Sequence, residues 1–303
     1  MRDNVLLSIV IANYNYGRFL ETAIGSVVSQ CAGAVRCPDG VNRLRLDEET
    51  YVELIICDAE SKDNSVDVIR RHEGELAWWC SEKDGGQSEA FNKGFSHATG
   101  RFLTWLNADD IMVDGALRKL HKAVQENPRQ EWFAGGSVHF TPELKVILCA
   151  RTRRFSAYEA AHGQITVYSP SSFFSRLLYE RVGKIDESFH YSMDTHLWCK
   201  FFLQEHVKFQ VLSGYVFGFR YHSESKTTCV HFKQEKSDAE VKRGTEQGDQ
   251  ERAIIRSLFP PYKPMSNLIR LLRTDWIAKA LGLLDTLRLK GRSLCDCGFL
   301  VEG

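Results

Sequence analysis

The chain has 303 residues, 43% of them hydrophobic and 26% charged, enough apolar material for a large buried core and too much for a disordered chain. Lys and Arg total 39, against 39 Asp and Glu. This balance excludes the global positive field of a general nucleic-acid binder, so any polyanion site has to be a local pocket.

In chain order, the first half alternates short apolar runs with helical periodicity, the pattern of an α/β fold whose sheet is covered on both faces. Strands are predicted over residues 6–12, 52–57, 76–80 and 102–106, and helices over 18–30, 65–72, 88–97 and 115–126. The last helix stops at Asn127-Pro128, because a residue before proline is pushed out of the helical region. Residues 31–50 form an unusually long connection with Gly, Pro and charges, and read as an insertion loop. Each strand ends in a polar cluster: Asn13-Tyr14-Asn15, Asp58-Ala59-Glu60-Ser61, Glu82-Lys83-Asp84-Gly85-Gly86 and Asn107-Ala108-Asp109-Asp110. Ligands of open α/β sheets bind beyond the carboxyl ends of strands, so these clusters are expected to converge on one crevice.

Beyond Trp132 the pattern is mixed. Strands are predicted over 132–140, 145–150 and 166–174, then a short helix, a helix over 195–204, and strands over 207–212 and 215–221 leading to His222. Residues 235–252 are strongly charged, and Pro260-Pro261 and Pro264 break the chain. Residues 267–290 carry Leu268, Leu271, Leu272, Ile277, Leu281, Leu284 and Leu287 among Arg and Lys, a basic amphipathic helix that either packs on the domain or lies on an anionic membrane surface. The expected division is a domain over 1–230, with a nucleotide-binding half (1–126) and an acceptor half (127–230), followed by a helical C-terminal extension over 231–303.

Nine cysteines, odd in number and scattered, suit a reducing compartment. Cys295 with Cys297, and Cys31 with Cys37, lack a second pair at zinc-finger spacing. The first apolar run is too short for a signal sequence, and no stretch approaches the roughly 18 apolar residues of a membrane span. A cytoplasmic protein is therefore expected, with the inner face of the membrane as its place if the basic helix binds lipid.

Asp109 and Asp110 follow a buried run, where a hard divalent cation could be held at a rigid strand end. Taken alone, the pair reads equally well as helix capping or plain solvation. Gly85-Gly86 allows close backbone approach to a ligand, and Gln87 or Ser88 opens a helix whose N-terminus favours an anion.

Read together, Ser8-Ile9-Val10-Ile11-Ala12-Asn13-Tyr14-Asn15, Glu53-Leu54-Ile55-Ile56-Cys57-Asp58 with Ser61-Asp63-Asn64-Ser65, Asp84-Gly85-Gly86-Gln87-Ser88 through Asn92-Lys93-Gly94, and Leu106-Asn107-Ala108-Asp109-Asp110 resemble the family-two glycosyltransferases of the GT-A fold. The resemblance runs from about residue 5 to 228. It implies a Rossmann-like, mixed but mostly parallel sheet flanked by helices. It further implies an inverting transfer from a nucleotide diphosphate sugar to a glycan or lipid-linked acceptor hydroxyl, dependent on Mn²⁺ or Mg²⁺, as in polysaccharide biosynthesis. Residue by residue, it implies that Ala12, Asn13, Tyr14 and Asp58 face the base, that Asp84, Gln87 and Asn92 flank the nucleotide, and that Asn107 faces the ribose. Asp109 becomes the metal ligand with Asp110 beside it, Asn107 standing where the family usually has an acid. Met193-Asp194-Thr195-His196-Leu197-Trp198 resembles the segment ending in the catalytic base, which makes Asp194 the candidate, a role compatible with capping the following helix. Arg220-Tyr221-His222 with Ser225-Lys226-Thr227 resembles the late segment in which a His approaches metal or diphosphate. Two other readings remain open: a nucleotidyltransferase, although its usual Gly-rich basic loop is reduced here to Gly17 and Arg18, and a non-catalytic glycan-binding relative.

Overall fold

The structure is a computed structural model that describes residues 4–155, 159, 167–204, 207, 209–225, 238–258 and 275–300. Its first half runs β1 (Val5–Asn13), α1 (Gly17–Val28), β2 (Ala34–Arg36), β3 (Asn42–Arg45), β4 (Tyr51–Asp58), α2 (Ser65–Arg71), β5 (Trp78–Ser81), α3 (Gln87–His97), β6 (Phe102–Asn107), β7 (Ile111–Met112) and α4 (Ala116–Glu126). The second half contributes β8 (Trp132–Phe140), β9 (Val146–Ala150), β10 (Ser172–Ser175), α5 (Arg176–Arg181), α6 (Met193–Phe202), β11 (Phe209–Arg220), α7 (Asp238–Ser257) and α8 (Asp275–Leu289).

The described strands form one sheet in the order β2-β3-β4-β1-β6-β10-β8-β11-β7, with β5 on β4 and β9 on β8. Around the first strand the pairing is parallel: β4 and β6 flank β1, and β5 flanks β4. Register then dictates where the polar strand ends meet, because Asn13 lies beside Asp58, Asp58 beside Ser81, and Ala12 beside Asn107. These strands read as continuous apolar runs because both faces are covered. Ile9, Ile11, Leu54 and Ile56 pack with α1 and α4 residues such as Leu20, Ile24, Leu117 and Leu120. On the opposite face Val10, Ile55 and Trp105 pack with Phe91 and Phe95 of α3 and Trp198 of α6. Gly94 lets α3 rest on β1, since a Cβ there would lie 2.3 Å from Val10 Cγ1.

Several expectations are corrected. Residues 31–50 are not a plain insertion loop: β2 and β3 form an antiparallel ribbon that extends the sheet from β4. One of their charges is paired inward, whereas Arg36 and Arg45 are exposed. Arg43, 1% exposed, bonds Asp39 at 3.0 and 2.8 Å and Glu53 at 3.1 Å. Glu53 also accepts from Ser8 Oγ at 2.7 Å and the Thr99 amide at 2.8 Å. The strand expected at 166–174 is confined to β10, because Ser169–Ser171, with Pro170, makes a 3₁₀ turn; residue 166 lies outside the described residues. The two strands expected over 207–212 and 215–221 are one, β11, whose register shifts between Val211 and Tyr215, where Gly214 takes φ +71°.

Most of the charged run is helical in α7, and residues 235–237 lie outside the described part. Of the predicted basic helix, 267–274 lie outside it too. The remainder, α8, packs on β9, as one of the two expected outcomes required, but through its small and polar side. A Cβ on Gly282 would lie 2.8 Å from the Cys149 carbonyl oxygen, the Cys149 amide donates to Thr286 Oγ1 at 2.9 Å, and Arg151 pairs with Asp285 at 2.7 Å. The leucines face solvent: Leu283, Leu284 and Leu287 are 58%, 60% and 71% exposed. Among the described residues, no helix is long and apolar enough to cross a membrane.

Candidate active site

A cleft of about 670 Å³ opens beyond the carboxyl ends of β1, β4 and β6, a size suited to a small-molecule ligand. Of the residues predicted from sequence, Ala12, Asn13, Tyr14, Asp84, Gln87, Asn107 and Asp109 line it. Asp58, Asn92, Asp110, Asp194 and His222 are not on its wall.

Asp58 lies beneath the wall as a knot between strand ends. Buried to 1% exposure, it accepts from Asn13 Nδ2 at 2.6 Å, the Ser61 amide at 3.0 Å, Ser61 Oγ at 2.5 Å and Ser81 Oγ at 2.6 Å. These bonds orient Asn13, whose Oδ1 is buried and has no hydrogen-bond partner among the described residues. Across the cleft, Gly86 starts α3 at φ +126°, a conformation that costs a glycine little, and its amide donates to Asp84 Oδ1 at 2.9 Å. Burial pushes the Asp84 carboxyl above the ordinary aspartate range.

The end of β6 is held by a relay. Gln87 Nε2 donates to Asn107 Oδ1 at 2.7 Å, Asn107 Nδ2 donates to Asp110 Oδ2 at 2.7 Å, and the Arg220 amide donates to Asp110 Oδ1 at 3.0 Å. Both Asp110 oxygens are therefore engaged by protein donors. Burial, reinforced by the charge of Asp109, pushes the Asp110 carboxyl well above the usual carboxylate range. Asp109 is different: its Oδ2 lies 2.9 Å from His222 Nε2. Its carbonyl accepts from Arg220 Nε at 2.7 Å. The Arg220 guanidinium sits 4.7 Å from the Phe19 ring centroid and 4.8 Å from that of Phe140, and the His222 ring packs against Tyr16 and Phe19.

Among the described residues, no group of three or more His, Cys, Asp or Glu side chains gathers at metal-binding spacing. Asp109 and His222 are a two-group set. They fit a hard cation that keeps the rest of its coordination for phosphate oxygens and water, rather than a closed protein cage.

The remaining two predicted residues serve the other side of α3. Asn92 donates to the Ile185 carbonyl at 3.0 Å and to Glu187 Oε1 at 2.7 Å, and accepts from the Tyr179 hydroxyl, so it ties α3 to the segment leading into α6. Asp194 stands in the first turn of α6. Desolvation pushes its carboxyl above the ordinary value, against hydrogen bonds from Thr195 and Ser169.

Sequence reasoning missed several wall residues, among them Tyr16, Lys62 and Phe219, whereas Lys83 and Ser225, also on the wall, belong to the cluster after β5 and to the late segment it singled out. Lys62 was detectable, since it sits just beyond the polar cluster after β4. Of the late segment, Lys226 and Thr227 lie outside the described residues.

Residues 8–137 match the family model described as Glycosyl transferase family 2. An uncharacterized glycosyltransferase of Nostoc sp. is 32% identical over 122 residues, 39% of this chain and 33% of that protein. The UDP-Glc:alpha-D-GlcNAc-diphosphoundecaprenol beta-1,3-glucosyltransferase WfgD of Escherichia coli is 28% identical over 118 residues, 38% of this chain and 39% of WfgD. The chain thus spans little more than a third of these relatives' length. Mannosyltransferase PcManGT from Pyrobaculum calidifontis, solved with GDP-Man and Mn²⁺, superposes with a TM-score of 0.51 at 14% identity, covering 91% of this chain and 80% of that one. At that identity the likeness speaks for the fold, a mixed α/β architecture of the GT-A type.

Proposed function

Because residues 8–137 are a glycosyltransferase family 2 segment, we propose that the chain transfers a sugar from a nucleotide diphosphate donor to a hydroxyl of a glycan or lipid-linked acceptor, with inversion at the anomeric carbon. The observation that carries this reading is the meeting, beyond parallel strands, of Asn13, the 84–87 loop and Asn107–Asp109, with His222 Nε2 at 2.9 Å from Asp109. In this reading Asn13, on the cleft wall and oriented by Asp58, faces the base. Lys62 and Lys83 contribute positive charge to a cleft otherwise marked by acids. Asp109 and His222 would hold Mn²⁺ or Mg²⁺. A bound divalent cation offsets the charge that develops on the departing diphosphate. Asp194 takes the proton of the acceptor hydroxyl as it attacks from the face opposite the diphosphate.

The names of the similar proteins set which ligands to try first: PcManGT was solved with GDP-Man and Mn²⁺, and WfgD is named for UDP-Glc and a diphosphoundecaprenol-linked acceptor. A lipid-linked acceptor in polysaccharide biosynthesis also gives the solvent-facing leucines of α8 a role, as a peripheral contact with the inner face of a membrane.

The test is thermal unfolding with UDP- and GDP-sugars, with and without Mn²⁺. A ligand at 100 times its Kd adds about 2.7 kcal/mol. One nucleotide class should raise the Tm, and Mn²⁺ should increase the rise in the native chain but not in Asp109→Ala. If no nucleotide sugar shifts the Tm, the proposal fails; a Mn²⁺ increment retained in Asp109→Ala removes that residue as the ligand.

A further inference from the structure

The turn that leads into α6 is fastened by a residue far outside the family segment. Glu251 belongs to α7, in the C-terminal extension, and is 4% exposed. Its carboxylate accepts from three successive backbone amides: His190 at 2.9 Å, Tyr191 at 3.0 Å and Ser192 at 2.8 Å. Ser192 is the N-cap of α6, and its own side chain makes no capping bond. Glu251 supplies the negative charge that a helix N-terminus favours, and the three donors offset the cost of burying it. The helix it caps begins at Met193 and carries Asp194 in its first turn.

The same turn is gripped from the donor side. Ser88 Oγ donates to the Phe189 carbonyl at 3.0 Å, and Asn92 holds Ile185 and Glu187. Residues 185–192 are thus clamped between α3, whose N-terminus lines the cleft, and α7. Among the described residues, Glu251 is the side chain that accepts from all three amides of the 190–192 turn.

We infer that Glu251 is a positioning residue for Asp194: by holding the 190–192 amides it fixes where α6 begins, and with it where the Asp194 carboxyl sits. The C-terminal extension is then part of the machinery of transfer. This rests on the reading of Asp194 as the acceptor base, and the experiment separates the two.

The full chain is compared as native protein, Glu251→Gln, Glu251→Asp and Asp194→Asn. Hydrogen exchange of the backbone amides and carbon-detected NMR titration of the Asp194 carboxyl are followed in the first three. In Glu251→Gln, exchange over 190–194 should rise at least about tenfold while β1 and β6 keep their protection, and the Asp194 midpoint should fall toward that of an ordinary aspartate as the first turn opens to water. Glu251→Asp keeps the charge with a shorter reach and should give intermediate values; it also serves if Glu251→Gln does not fold. A folded variant in which Asp194 titrates as in the native protein overturns the inference and leaves Glu251 as a fastening of α7 alone. Native turnover in Asp194→Asn, read as nucleotide release from the sugar donor that stabilises the native chain, would instead overturn the base assignment, whatever the titration gives.

Discussion

Adjacent in the chain, Asp109 and Asp110 face different surroundings. One oxygen of Asp109 meets His222 at 2.9 Å, whereas both oxygens of Asp110 accept protein hydrogen bonds from Asn107 and the Arg220 amide. A comparable division separates Asn13, which lines the cleft, from Asp58, which is saturated beneath it. The side chain with bonding capacity left is the one a ligand can use. For Asp194, burial raises the carboxyl above its ordinary value. A base must be ionised, so turnover should rise with pH through this raised value, and the acid limb should lie above the range of an exposed aspartate. Asp194→Asn should remove that limb and lower kcat by about 10² to 10⁴ with the donor KM little changed. A pH–rate profile of the native chain and the variant checks both; an acid limb that survives the substitution belongs to another group.

At the scale of elements, the parallel block β5-β4-β1-β6 aligns four polar strand ends, and the β2–β3 ribbon secures its edge. Glu53 is the hub, joining Ser8 of β1, Arg43 of β3 and the Thr99 amide just before β6. Glu53→Ala would leave the buried Arg43 guanidinium with Asp39 as its remaining acid partner. Breaking a buried ion pair from one side typically costs several kcal/mol, so a loss of about 3 kcal/mol is expected in urea unfolding. A loss below about 1 kcal/mol would show that the hub contributes little. The ribbon was illegible in the sequence because its Gly, Pro and charged residues carry the signature of a loop. Whether a charge faces water or a partner depends on residues distant in the chain. By contrast β1, β4 and β6 were legible, since a strand covered on both faces has to be apolar throughout.

Across the whole molecule, the described residues beyond 237 pack on the preceding fold in three places: α7 through Glu251 and Ile255, α8 through Gly282, Asp285 and Thr286, and residues 292–299 through backbone bonds to Leu144, Val146 and Asp114. Because α8 packs by its polar side, it presents Leu283, Leu284 and Leu287 outward. Anionic vesicles should therefore pull the chain down in cosedimentation, and replacing these three leucines with Ser should weaken the binding at least tenfold, given roughly 0.8 kcal/mol per buried methylene. Equal sedimentation of the native and substituted chains would leave the leucine face without a membrane role. The sequence by itself determined the alternation of apolar runs and helices, the polar clusters at strand ends and the order of the family motifs, because periodicity and turn chemistry are properties of neighbouring residues. Only the tertiary structure decided that Asp109 meets His222, that Asp110 and Asp58 are consumed in holding the cleft together, and that Glu251 caps α6. Most of these bonds join residues from about two dozen to more than a hundred positions apart, and packing, which has no local signature in the sequence, sets which of them come within hydrogen-bonding reach.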